Sequence, residues 1–171
     1  MKLDPKIELR HLYNPSAREV SVVDVPQMYF LMIDGCGDPN TSDDYAEVLE
    51  ALYAVSYAIK FRVKRTEGGV DDAVMPLEGL WWTDDMREFS VEDKRSWKWT
   101  AMIMQPEEYF TEGLVDEAKT EVKRKKGLPA IPRMRFEAFG EGLSAQIMHR
   151  GPFSEEGPVI ERIHRGIEER G

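Results

Sequence analysis

The chain has 171 residues, 42% hydrophobic and 32% charged, with a formal net charge of −9; that is enough to bury most of its unfolded surface in one domain or in two half-domains sharing a core, and it argues against disorder. No stretch reaches the roughly 18 apolar residues of a transmembrane helix and no secretory signal opens the chain, so a cytoplasmic setting without a membrane partner is expected. Phosphate binding needs concentrated Lys and Arg, so the acidic balance disfavours nucleic acid as partner and tolerates neutral or cationic ligands.

Residues 2–20 read as an extended lead-in interrupted by Pro5 and Pro15. The apolar run 27–33, closed by Asp34-Gly35-Cys36-Gly37-Asp38-Pro39-Asn40, predicts a buried strand ending in a turn. A single cysteine, Cys36, permits no internal disulfide, and with no His/Cys cluster around it neither a metal nor a cofactor is expected. Thr41 or Ser42 can cap a helix that opens with Asp43 and Asp44 and carries Tyr45, Val48, Leu49, Leu52, Ile59 and Val63 at helical spacing; it ends in the basic segment 60–65. Two strands follow, at 73–82 and 97–105. In the second, alternation puts Trp97, Trp99, Ala101 and Ile103 on one face and Lys98, Thr100, Met102 and Met104 on the other.

After Pro106, Thr111 can cap a helix running to Gly127 as C-cap, its basic end 123–126 meeting the negative pole of the helix dipole. Beyond the stiff linker 128–132 the pattern restarts with a strand at 134–139, a kink or bulge at Gly140-Glu141-Gly142, and 143–149. A turn at Arg150-Gly151-Pro152 and a cap at Ser154 lead into a last helix with Pro158 early and Val159, Ile160, Ile163 and Ile167 on one face. The expected organisation is one domain: a strand-helix-strand-strand repeat at 20–106, a connecting helix at 111–127, and a second repeat at 131–171 without its last two strands. Another chain supplying those strands would make the protein an oligomer.

Four tryptophans, Trp81, Trp82, Trp97 and Trp99, lie on two strands adjacent in sequence. They can fill the core or offer flat surfaces for an aromatic or cationic ligand, and neighbours Trp81 and Trp82 must point to opposite faces. Glu78 falls on the face of Trp82, where a carboxylate can act as proton donor or counter-charge, or it can sit at an exposed edge. Glu155 and Glu156 open the last helix, where negative charge suits the dipole. Their functional alternative is a base at the mouth of a pocket, with His149 and Tyr109 as hydrogen-bonding neighbours. No nucleophile elbow, Walker loop or dinucleotide-binding glycine pattern occurs.

Three ordered segments, 76–82 (PLEGLWW), 97–106 (WKWTAMIMQP) and 145–156 (AQIMHRGPFSEE), resemble the GyrI-like small-molecule-binding family, and more narrowly its stand-alone bacterial branch. The resemblance implies an α+β fold of two strand-helix-strand-strand repeats about a pseudo-twofold axis, with a ligand cleft between them. Some relatives hydrolyse cyclopropane-bearing alkylating natural products; others are drug-sensing effector domains or gyrase inhibitors, so the implied alternatives are a hydrolase, a non-catalytic sensing or sequestering module, and a protein-interaction module. By resemblance Glu156 is the catalytic acidic residue, and Trp82 and Trp99 are pocket aromatics. Glu78, Trp81, Met102, Tyr109, Met148 and Phe153 complete the expected ligand-binding set. Many relatives carry Tyr where this chain has Phe153, and they continue into a further strand bearing a second acidic residue.

Overall fold

A computed structural model describes residues 8–66, 68–69, 71–106 and 113–171. The chain divides into two compact units, one formed by Met28–Phe139 and the other by the segment ending at Gln27 together with Gly140–Gly171. Together they give a mixed α+β fold with two antiparallel sheets.

In the first unit, β2 (Met28–Cys36), α2 (Asp43–Arg65), β3 (Leu77–Trp82) and β4 (Lys98–Gln105) follow one another in the expected order of strand, helix, strand, strand. With β5 (Arg135–Phe139) the strands form an antiparallel sheet ordered β3-β4-β2-β5. The register pairs Trp81 with Trp99 and Gly35 with Trp99, and sets Glu78 opposite Met102. Central β4 is buried from Trp99 to Gln105, which explains its nearly unbroken apolar sequence.

The long helix α2 starts where the sequence supplies a cap: Ser42 Oγ accepts a hydrogen bond from the Tyr45 amide at 3.1 Å, and Asp43 and Asp44 occupy the positive end. Its buried face, Val48, Ala51, Leu52, Val55, Ser56 and Ile59, packs on the sheet against β2 and β4. Gln105 Nε2 donates to Ser56 Oγ at 3.1 Å, so the polar pair inside this contact is satisfied. The shorter α3 (Leu114–Lys126) buries Ala118 and Val122, lies along α2, and is tied to it by Arg62 pairing with Glu117 and Glu121, both at 2.9 Å. It ends on Gly127 at φ 60, a left-handed C-cap that glycine adopts without a Cβ penalty. The Thr111 cap expected for this helix lies outside the described residues.

The second unit departs from expectation. Within 2–20 the described part holds a short helix, α1 (Arg10–Tyr13), and a strand that the sequence reading passed over, β1 (Ser21–Val25), follows it. Its partner is β6 (Gly142–Gln146), from Ser21 opposite Gln146 to Val25 opposite Gly142. The Gly140-Glu141-Gly142 segment is therefore not a bulge within one strand. It is the point at which the chain leaves one sheet and enters another, with Gly142 at φ 69 making the turn. The last helix, α4 (Gly157–Glu168), starts after a 3-10 turn at Phe153–Glu155; Ser154 lies inside that turn and does not cap it, and Pro158 stands in its first turn.

A two-stranded ribbon is marginal by itself, and α4 supports it by packing on β6. Gly166 lets the helix approach Val20, whose Cγ1 lies 3.3 Å from where a Cβ would stand. Arg162 and Arg170 donate to the carbonyls of Arg18 and Val20 at 2.6 and 3.5 Å.

In the first unit Trp99 lies directly on Gly35. A Cβ added at Gly35 would overlap the six-membered ring of the indole, and Trp99 is fully buried. Gly35→Ala should cost about 1–3 kcal/mol through overpacking, read as a lower urea midpoint at unchanged slope; an unchanged midpoint would show that the ring is not seated on this glycine.

Candidate functional site

Strand alternation distributes the expected site residues of the first unit between two faces of one sheet. Trp81 and Trp99 stand on the face covered by α2, where Tyr45 meets Trp99 edge-on at 4.9 Å and Trp81 at 5.8 Å. Trp97, immediately before β4, stacks on Phe89 at 4.8 Å, contacts Trp81 at 5.4 Å, and donates its indole N–H to the Ser90 carbonyl at 2.9 Å. Trp97 and Trp99 are 4% and 0% exposed, so the expectation that Trp99 offers a ring to ligand gives way: its indole is core. Its Nε1 has no hydrogen-bond acceptor among the described residues, a cost that the aromatic packing around it must offset.

Trp82 is different. It is half-buried, lies on the opposite face from Trp81, and sits on an edge strand beside Lys98, which is ion-paired with Asp84. Glu78 and Leu80 share its face, with Glu78 at the far end of the strip. Met102, paired with Glu78, is 2% exposed and presents no surface of its own.

The register extends this face into a row across the sheet, Glu78, Met102, Met32 and Arg135. Arg135 is held there by Asp34 at 2.9 Å and Glu137 at 2.7 Å, and its Nη2 lies 3.7 Å from Met32 Sδ. Thr100 Oγ1 donates to the other oxygen of Asp34 at 2.6 Å. Burial works against the Arg135 charge, but the hydrogen bonds it donates to Glu137 and Asp34 outweigh it and hold the guanidinium above its ordinary value. This Asp34-Thr100-Arg135-Glu137 cluster escaped the sequence reading, because only sheet pairing brings the residues together. The one local trace was Arg135 and Glu137 two apart on a strand.

In the second unit, Gly151 at φ 128 permits the turn that carries Pro152 and Phe153. Phe153 is 75% exposed, a large aromatic standing clear of any core. His149 Nε2 lies 3.0 Å from the Pro152 carbonyl; a carbonyl only accepts, so that nitrogen carries the proton and is engaged within the turn. Glu156 is half-buried at the N-cap of α4, where its carbonyl accepts from the Val159 and Ile160 amides, both at 3.0 Å. Its side chain makes no capping hydrogen bond. Met148 is half-buried, with its amide bonded to the Ser16 carbonyl at 2.9 Å. Tyr109 lies outside the described residues. Among those residues no cluster of His, Cys, Asp or Glu is arranged to hold a metal ion, and no helix is long and apolar enough to cross a membrane.

Residues 18–171 match the model of the GyrI-like small molecule binding domain. No curated protein matches. Among solved structures, an uncharacterized conserved protein from Listeria innocua is 37% identical with a TM-score of 0.88, the match covering 99% of this chain and 82% of that one. A hydrolase from the same organism is 35% identical with a TM-score of 0.83, covering 99% of this chain and 85% of that one. A hydrolase encoded by lin2189 of Listeria innocua is 36% identical with a TM-score of 0.86, covering 100% and 82%.

The aromatic cluster leaves a titration signature. Burial first, and Tyr53 second, push the Tyr45 hydroxyl above its ordinary value of 10.0. A phenol whose folded value is raised gives stability that is complete below pH 10 and is lost as pH climbs through the folded value, because the unfolded chain ionises first. Above pH 10 the thermal midpoint of the native protein should fall more steeply than that of Tyr45→Phe; parallel curves would mean that the hydroxyl is solvated as in the unfolded chain.

Proposed function

The chain belongs to the GyrI-like small-molecule-binding domain family, and from that premise we infer that its ligand is a flat aromatic, cationic or electrophilic small molecule held on the sheet face that carries Trp82 and Glu78. The observation behind this reading is the position of Trp82, the one tryptophan on that face, half-buried on an edge strand with a carboxylate on the same side. Four residues of extended strand separate Glu78 from Trp82, about 13 Å at the usual rise, which suits two or three fused rings. An indole at one end stacks on such a plane, and carboxylates at Glu78, Asp34, Glu137 and Asp84 against Arg135 and Lys98 favour positive charge on the ligand.

Hydrolysis is the second part of the proposal, and two relatives described as hydrolases support it. In this reading Glu156 accepts a proton from water, and the water oxygen bonds to a ring carbon of a cyclopropane-bearing alkylating compound. The ring C–C bond breaks, its electron pair passes into the adjoining conjugated system, and a proton delivered there completes the ring-opened alcohol. Phe153, in the same unit as Glu156, offers an exposed apolar ring where a tyrosine would have added a hydroxyl.

Binding and turnover are separable by experiment. Acridine orange, a planar cation, should quench part of the tryptophan emission, and Trp82→Ala and Glu78→Gln should each weaken its binding about tenfold, the effect of roughly 1.4 kcal/mol; affinities equal to the native protein would remove this face from the site. Incubated with a cyclopropane-bearing alkylator, the native protein should yield the ring-opened, water-added product by mass spectrometry. Glu156→Gln should reduce its rate by a factor of about 100 or more, the usual weight of a general base. Recovery of the compound intact from the native protein would make this a sequestering module.

A further inference from the structure

Helix α2 carries a second face that neither the sheet nor α3 covers. Tyr53, Tyr57 and Phe61, spaced four apart, are 37%, 47% and 46% exposed, and Tyr57 stacks on Phe61 at 6.3 Å. They floor a groove of about 430 Å³ between α2 and α3, with Ala54, Ala58 and Val122 as its other apolar walls. Three large aromatics in one continuous stripe are more than the single exposed apolar residues that any soluble surface shows.

The charges around the stripe specify what covers it. The N-terminal part of α2 is acidic, with Asp43, Asp44, Glu47 and Glu50, and its C-terminal part is basic, with Lys60, Arg62, Lys64 and Arg65. Tyr57 is the centre of this pattern. Four residues away on either side stand Tyr53 and Phe61, and seven away stand Glu50 and Lys64, with Arg65 one further. A helix whose sequence reads aromatic to aromatic and acid to base about one residue is complementary to itself run antiparallel, the requirement of a twofold interface in which residue i meets j and j meets i. The groove lining holds Glu50, beside Lys126, at one end and Arg65 at the other, while Arg62 and Lys125 are both paired with Glu121 between them. Glu50 has only a long contact, 3.8 Å, with Lys126, and Arg65 has no ion pair among the described residues.

We propose that this face is the dimer interface of the protein. A second copy lies antiparallel on it, with Tyr57 against Tyr57 at the axis, Tyr53 against Phe61, and Glu50 of each copy against Arg65 of the other. The aromatic residues supply the apolar core of the contact, and the flanking charges select the antiparallel over the parallel arrangement, which would set acid against acid and base against base. This interface is independent of the ligand face and stands or falls separately from it.

Sedimentation equilibrium of the full chain tests it. Dimer mass should accumulate between micromolar and sub-millimolar concentration. Tyr57→Glu, which sets two carboxylates at the axis, should sediment as monomer. Glu50→Arg should raise the dimer dissociation constant about tenfold or more by facing Arg65 with another cation. Adding Arg65→Glu to it should restore dimerisation, an outcome that loss of folding in either single variant would not produce. A single monomeric mass for the native protein at every concentration overturns the proposal. So does a native dimer indifferent to Tyr57→Glu, or a charge swap that fails to restore association.

Discussion

The first unit is organised by Trp99 lying on Gly35 beneath the edge of the Tyr45 ring. One indole cannot lie flat across a neighbouring strand unless that strand lacks a side chain there, and glycine at position 35 provides the space. With Trp99 and Tyr45 in contact, the start of α2 is fixed on one side of the sheet, and the Gln105–Ser56 hydrogen bond fixes its middle. Everything on the odd-numbered side of β4 becomes core. By the pleat, everything on the even-numbered side, including the register partners Lys98 and Met102, faces the other way.

This constraint makes the tryptophans unequal. Trp97 and Trp99 are spent on packing, and Trp81 is drawn into the same cluster through Tyr45 and Trp97. Only Trp82 stands on the other face. The Arg135 cluster belongs to that same face, and it anchors β5 at the far edge of the sheet through Asp34 on β2 and Thr100 on β4. Burying a guanidinium partway is costly without partners. Two carboxylates around it leave the neighbourhood net acidic, which is consistent with a chain that carries nine more negative than positive charges.

Much of this was readable in the sequence because the signals are local. The alternation of 97–105, the Ser42 cap followed by two aspartates, and the Gly127 stop each report a short-range requirement, and each appears where it was expected. The family was readable too, from three ordered segments. What escaped was non-local. Residues 21–25 alternate weakly and are half exposed, so β1 was indistinguishable from a lead-in until its partner, more than a hundred residues away, was known. The glycines at 140 and 142 announced a break in a strand without revealing that β5 and β6 belong to different sheets. The count of four tryptophans suggested a surplus over the needs of a small core, whereas Phe89, Tyr45 and Gly35 form a setting that accommodates three of them.

The central claim is that Trp82, alone among the tryptophans, stands on the face of the sheet away from α2 and is the one that contacts ligand. The most direct measurement is fluorine NMR of protein labelled with 5-fluorotryptophan, its four resonances assigned by single Trp→Phe substitutions and followed through a titration with acridine orange. The account predicts that the Trp82 resonance moves with ligand while those of Trp97 and Trp99 hold their positions. Movement of Trp99 with Trp82 unchanged would contradict it.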